Sequence, residues 1–99
     1  MKNTLPFVDN TLEQRYEFDL DGDRAVIDYL REPGTVILTH TYVPPRHEGR
    51  GYGAAMVRSV LEDIRAKGLR AVPQCSFVAI YIRRHPEWEP LVRREETVR

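Results

Sequence analysis

Cysteine is almost missing: the 99 residues hold one, with one tryptophan and two methionines. A single thiol excludes an internal disulfide framework and a zinc site built from cysteines. A long hydrophobic run is also missing; nothing approaches the roughly 20 apolar residues that a spanning helix requires. Charge of one sign is not in excess, because Lys and Arg total 15 and Asp and Glu total 15. The chain as a whole therefore has no pull toward nucleic acid or an anionic membrane, and neither is expected as a partner. The start, Met1 to Phe7, lacks the charged and then apolar pattern of a secretory leader, so a cytoplasmic location is the expectation. His40, His47 and His85 stand at no metal-ligand spacing, so no metal is expected. Internal repeats and linkers are absent.

What is present is ordinary for a globular chain. Hydrophobic residues make up 41% and charged residues 30%, which argues against disorder. The length fits one domain over residues 1–99 with a modest core. Residues 1–11 show no periodicity and read as an arm or a short lead-in strand. From Arg15 the pattern alternates, with Tyr16, Phe18 and Leu20 on one face. Asp21-Gly22-Asp23 signals a hairpin turn. Ala25 to Leu30 is a second strand, with Ala25, Ile27 and Tyr29 on one face. Glu32-Pro33-Gly34 is the next turn. Thr35 to Val43, rich in β-branched residues, is a third strand, on which alternation puts Leu38, His40 and Tyr42 on one face. Three strands with short turns make an antiparallel meander.

Pro44-Pro45 stops that meander and leaves an open edge. Gly49, Gly51 and Gly53 follow, and then Val57, Val60, Leu61 and Ile64 at i, i+3, i+4 and i+7 mark a helix. Asp63 and Lys67 form an i,i+4 pair, and Gly68 ends the helix. Leu69 to Val72 is a short strand. Ser76 is placed to cap a second helix, with Phe77, Ile80 and Tyr81 on one face. That helix carries Arg83-Arg84 and ends near His85-Pro86. Glu87 to Val92 reads as a short helical turn or strand, and Arg93 to Arg99 as a charged, frayed tail. The order β-β-β-α-β-α makes an α+β fold, a mostly antiparallel sheet of about four strands with helices packed on it.

Glycines without Cβ atoms let a ligand approach the backbone. Successive N–H groups in such a turn, followed by the positive end of a helix, form a concavity for an anion. Arg46 and Arg50 can add charge-assisted bonds to phosphate. No Gly-Lys-Ser or Gly-Lys-Thr follows, so the loop is not a Walker A motif, and no βαβ unit surrounds it. The same glycines would equally serve a tight strand-to-helix turn with no ligand.

Three segments carry a resemblance: His40-Thr41-Tyr42-Val43-Pro44, then Gly49-Arg50-Gly51-Tyr52-Gly53, then Pro73-Gln74-Cys75-Ser76-Phe77-Val78 with Arg84-His85-Pro86-Glu87-Trp88. In order and spacing they resemble the acyl-CoA-binding core of GCN5-related N-acetyltransferases. The chain more closely resembles a small, truncated subfamily of about one hundred residues, the GCN5-related acetyltransferase-like proteins that include a plant member. The resemblance implies acetyl-CoA binding. Pantetheine would pair with the strand end at Tyr42 and Val43. The pyrophosphate would rest on Arg50, Gly51, Tyr52, Gly53 and Ala54. Glu48 stands where the superfamily carries Gln or Arg.

The resemblance also implies a cysteine near the acetyl group, which here is Cys75. At a helix N-terminus a thiol ionises more readily, and a thiolate can relay an acetyl group; a small buried hydrophobe is the alternative. His40 is a candidate base for the amine or for Cys75. Tyr81 resembles the tyrosine that protonates the departing CoA thiolate in larger relatives, and Arg83 and Arg84 are candidates for the adenosine 3′-phosphate. His47 and His85 have no evident partner. Larger relatives carry two helices between their first two strands; Asp21-Gly22-Asp23 leaves no room for them. The functional expectation is an N-acetyltransferase acting from acetyl-CoA on an amine, a protein lysine or a small amine, with Cys75 as the candidate acetyl relay. The alternative is a module that binds acyl-CoA with little or no turnover. The acceptor and the oligomeric state are not legible.

Overall fold

A computed structural model describes residues 4–93. Its meander begins one strand earlier than the sequence pattern indicates. Strand β1 (Val8–Asn10) precedes β2 (Arg15–Leu20), β3 (Asp23–Glu32) and β4 (Thr35–Tyr42), and each pairs antiparallel with the next. A helix, α1 (Tyr52–Ala66), leads to β5 (Arg70–Pro73), which joins β4 in parallel. The five-stranded sheet thus has the order β1-β2-β3-β4-β5 rather than four strands. A second helix, α2 (Ser76–Arg84), and a 3-10 segment, Pro86–Leu91, complete the described residues. The fold is mixed α+β, as expected, and matches a truncated acetyltransferase-like architecture. No helix among the described residues is long and apolar enough to cross a membrane.

Hydrophobic period decides which face of the sheet is covered. Tyr16, Phe18 and Leu20 of β2 are buried together with Ala25, Ile27 and Tyr29 of β3. Alternate residues point to opposite faces, so Arg15, Glu17 and Asp19 lie on the other, less buried face. Helix α1 buries Met56, Val57, Val60, Leu61 and Ile64 against the apolar face. Each such side chain stabilises the fold by about 1.5–3 kcal/mol. Ser59, also buried on α1, donates to the Ala55 carbonyl at 2.8 Å and accepts from the Leu5 N–H at 2.7 Å, which straps the N-terminal arm to the helix. Asp63 and Lys67 pair at 2.8 Å, and Lys67 also reaches Asp9 on β1 at 3.2 Å. Between Leu20 and Asp23 the turn has Asp21 at φ 53° and Gly22 at φ 89°. Two left-handed residues are what a two-residue hairpin demands.

Two sequence expectations need correction. Helix α2 buries Val78, Tyr81 and Ile82, whereas Phe77 and Ile80 remain 43% and 38% exposed. Nine residues are too few for the helical period to fix which face is buried. Ser76 is not the cap: Cys75 holds the N-cap position, with no side-chain cap bond.

Candidate functional site

The site is built where β4 loses its partner. Strands β4 and β5 pair as far as Leu38 and Pro73. Beyond that point β4 continues to Tyr42, while the chain after β5 turns off into α2. The two elements therefore fork. Cys75 sits in the fork, its N–H donating to the Leu38 carbonyl at 2.8 Å. Its sulfur is half-buried and lies 3.5 Å from Thr41 Oγ1.

At the far end of β4, Pro44 and Pro45 end the strand and begin a single 3-10 turn, Pro45–His47. The chain then passes through Gly49 at φ 79° and Gly51 at φ 81°, values that favour glycine. Helix α1 begins at Tyr52, and the Ala55 N–H donates to the Gly51 carbonyl at 3.2 Å. Among the described residues, no hydrogen bond takes the N–H groups of Gly49 to Ala54. They include the unsatisfied amides at the start of a fifteen-residue helix, where the helix dipole is positive.

Two hollows flank this loop. The first, about 420 Å³, is bordered by Thr41, Val43, His47, Glu48, Gly51 and Phe77, and also by Gly53 and Ala54. Through Thr41 it adjoins the fork at Cys75. Phe77 leans over the loop: a Cβ at Gly53 would lie 2.7 Å from the end of its ring. Gly53 thus permits a close approach, whereas Gly49 and Gly51 supply a conformation. The second hollow, about 520 Å³, is bordered by Arg50, Tyr52, Arg58, Tyr81 and His85. Arg58 pairs with Glu62 at 3.2 Å.

The histidines fall out differently from the sequence reading. A bulge interrupts β4: Tyr29 pairs with Leu38 and Asp28 with His40, which leaves Thr39 unmatched. The extra residue reverses the alternation. Leu38 and His40 consequently do not share a face. Thr41, paired with buried Ile27, is on the helix side; His40 and Tyr42 turn to the other side and are exposed. The structure brings Thr41 to Cys75 and leaves His40 away from it. His47 is 1% exposed, and its Nε2 lies 3.0 Å from Asp23 Oδ2. Arg46 also bonds that carboxylate and the Asp21 carbonyl, so it is tied to the hairpin and not free to meet phosphate. The Arg46 hydrogen bond holds the Asp23 carboxyl below its usual range against the opposing effect of desolvation, and the His47 hydrogen bond adds a smaller pull in the same direction as Arg46.

Tyr81 is buried, stacked on His85 with ring centroids 4.1 Å apart. The His85 Nδ1–H donates to the Tyr81 carbonyl at 2.8 Å. Burial raises the Tyr81 hydroxyl's pKa, so it keeps its proton at neutral pH. It borders the second hollow rather than the one reached through Thr41, so the structure does not bring it to Cys75. Arg50 is exposed and also borders the second hollow. Arg83 and Arg84 are exposed on the last turn of α2 and border neither hollow. Tyr42 is 45% exposed at the free end of β4, and Val43 borders the first hollow. Glu48 is exposed, and among the described residues its carboxylate forms no ion pair. Asp23 and Thr41 are not candidate site residues from the sequence, since each acquires its role from a residue distant in the chain.

The chain thus combines a parallel fork, a helix start with free amides and a thiol at the branch point. The chain matches the model of a family described as GCN5-related N-acetyl-transferase over residues 15–91, and it belongs to that family. The match covers every element from β2 to the 3-10 segment. A comparison with curated proteins found no match.

Proposed function

We propose that this protein moves the acetyl group of acetyl-CoA to a primary amine. One observation carries the reading: the unbonded amides from Gly49 to Ala54 border a hollow that adjoins the fork holding Cys75. In the proposed complex the diphosphate lies on the amides of Arg50, Gly51, Tyr52, Gly53 and Ala54, where the α1 dipole assists. Pantetheine follows the free edge of β4 at Tyr42 and Val43, and the thioester ends beside Cys75 and Thr41. Arg50 adds charge at the crest of the loop. Arg83 and Arg84 precede His85, which borders the second hollow, and are the cations proposed for the 3′-phosphate.

Cys75 Sγ, as thiolate, attacks the thioester carbonyl carbon. The carbon–sulfur bond to CoA breaks, and CoA leaves as its thiolate. The amine then attacks the S-acetyl carbon, the Cys75 thiolate departs, and the proton of the new amide nitrogen passes to solvent or to the CoA thiolate. The Thr41 hydroxyl stands 3.5 Å from the sulfur, and Cys75 holds the N-cap of α2. Neither His40 nor Tyr81 stands beside the thiol, so water carries these protons in this scheme.

Intact mass after mixing with acetyl-CoA tests the scheme. Wild type is expected to gain one acetyl group. Cys75→Ala is expected to gain none and to lose turnover of amine substrates by at least about a hundredfold, as when a covalent route is removed. Full turnover in Cys75→Ala, without an adduct on wild type, leaves direct transfer from the thioester. Binding of CoA without adduct or turnover makes the protein a binding module. Lack of CoA binding at millimolar concentration overturns the whole assignment.

A further inference from the structure

His47 is the buried polar residue of the first hollow that the proposed reaction does not use. Its ring is almost wholly enclosed, and its edge meets the Tyr52 ring with centroids 5.7 Å apart and planes at 80°. Nε2 faces Asp23, so the Nε2–H donates to an ionised carboxylate. Nδ1 is buried with no hydrogen-bond partner. An apolar ring would fill this space without leaving a buried polar atom unsatisfied. The unsatisfied nitrogen therefore points to a function that packing does not supply.

We propose that His47 is a buried cation of the diphosphate site, taking up a proton as the cofactor's diphosphate settles on the loop. The inference rests on the acetyl-CoA reading above. A diphosphate on the Gly49–Ala54 amides brings at least two negative charges to the hollow that His47 borders. Opposite charge at short range favours the charged form of a titrating group, and low dielectric strengthens the attraction. Asp23 from β3 steadies the imidazolium on its other side, and Arg46 on the same 3-10 turn keeps Asp23 ionised. The other charged or titratable groups nearby are Tyr52 from α1 and the exposed Glu48 and Arg50 of the loop. The β2–β3 turn thus serves the cofactor site through charge, although it contributes no residue that would touch the cofactor.

The sign follows from linkage. If the bound protein holds more protons than the free protein, affinity rises as pH falls through the range in which histidine titrates. Calorimetry with dephospho-coenzyme A, which lacks the 3′-phosphate that itself titrates near neutrality, isolates the effect. Repeating the titration in buffers of different ionisation enthalpy counts protons. Wild type is expected to take up a large fraction of one proton near neutral pH and to bind up to about tenfold more tightly at about pH 6 than at about pH 8. His47→Gln retains an N–H for Asp23 but does not titrate; its proton uptake is expected to vanish and its affinity to stay level with pH. Equal uptake in the two proteins overturns the proposal. If circular dichroism shows His47→Gln unfolded, Asp23→Asn decides: removing the carboxylate is expected to shift the pH dependence to lower pH, and an unmoved profile overturns it. Failure of wild type to bind dephospho-coenzyme A at any pH overturns the cofactor reading itself, whereas binding without proton uptake overturns only the role of His47.

Discussion

The Asp21-Gly22 and Pro33-Gly34 turns and the Gly49–Gly53 loop all use left-handed glycine, yet they leave the backbone in opposite states. In the first turn the Gly22 N–H donates to Asp19 Oδ1 at 2.7 Å, and strand pairing closes on both sides. In the second the Gly34 carbonyl accepts from the Arg70 N–H at 2.9 Å. These glycines serve geometry alone. In the third, Gly49 and Gly51 set the bend while the N–H groups through Ala54 stay unbonded beside a hollow. In the proposed function, what sets this loop apart from a structural turn is the fate of the amides, because an amide already bonded within the chain has nothing to offer an anion.

The widest separation between the two kinds of turn is expected from paired substitutions. Gly51→Val places a branched side chain at φ 81° among the free amides, and CoA affinity is expected to fall by more than about a hundredfold, with stability lowered by roughly 1–2 kcal/mol. Gly34→Ala, also at positive φ, is expected to carry a stability cost of about 1 kcal/mol with CoA affinity unchanged. Calorimetry and thermal unfolding read both quantities, and a Gly51→Val protein that still binds CoA normally erases the distinction.

Next in size is Arg50→Ala. A weakening of CoA binding by about fivefold is expected, together with a shallower dependence on salt, because an exposed cation acts through a screened field. An unchanged salt slope removes Arg50 from the phosphate.

A smaller effect tests the third use of glycine. Gly53 lies in α1, and the exposed ring of Phe77 supplies the three atoms nearest to a Cβ there. In a Phe77→Ala background, Gly53→Ala is expected to stabilise the protein by about 0.5–1 kcal/mol, the helix preference of alanine over glycine. In wild type the ring must shift and the gain shrinks or reverses. Equal effects in the two backgrounds, measured by denaturant unfolding, would show that Phe77 does not constrain residue 53.

The smallest expectation concerns His40. With the residue exposed on the face away from Cys75, His40→Ala is expected to change kcat by less than about twofold, a small loss against the 10²–10⁴-fold contribution of a general base. A loss of a hundredfold in steady-state assays restores it as the base.

Legibility followed the range of the forces. Strands β2, β3 and β4 were readable because alternation is set residue by residue, and Tyr16, Phe18 and Ile27 are buried as their pattern demands. The α1 face was readable because fifteen residues give the helical period room to repeat. Strand β1 was legible only as one of two alternatives, an arm or a short lead-in strand, since three residues carry no pattern. The side of β4 that His40 takes was not legible, because one unmatched residue at Thr39 reverses everything after it and no local rule announces a bulge.

The sequence by itself determined the order of elements from β2 onward, the glycine loop at the head of a helix, and membership of a GCN5-related N-acetyl-transferase family. Those features depend on neighbours along the chain, through backbone conformation and hydrophobic period. Only the tertiary structure decided that Cys75 meets Thr41, that Phe77 covers Gly53, and that Asp23 holds His47 under the loop. Each of those contacts joins residues 24 or more positions apart. Such pairs exist because packing brings strands, turn and helices together, and no local preference along the chain encodes them.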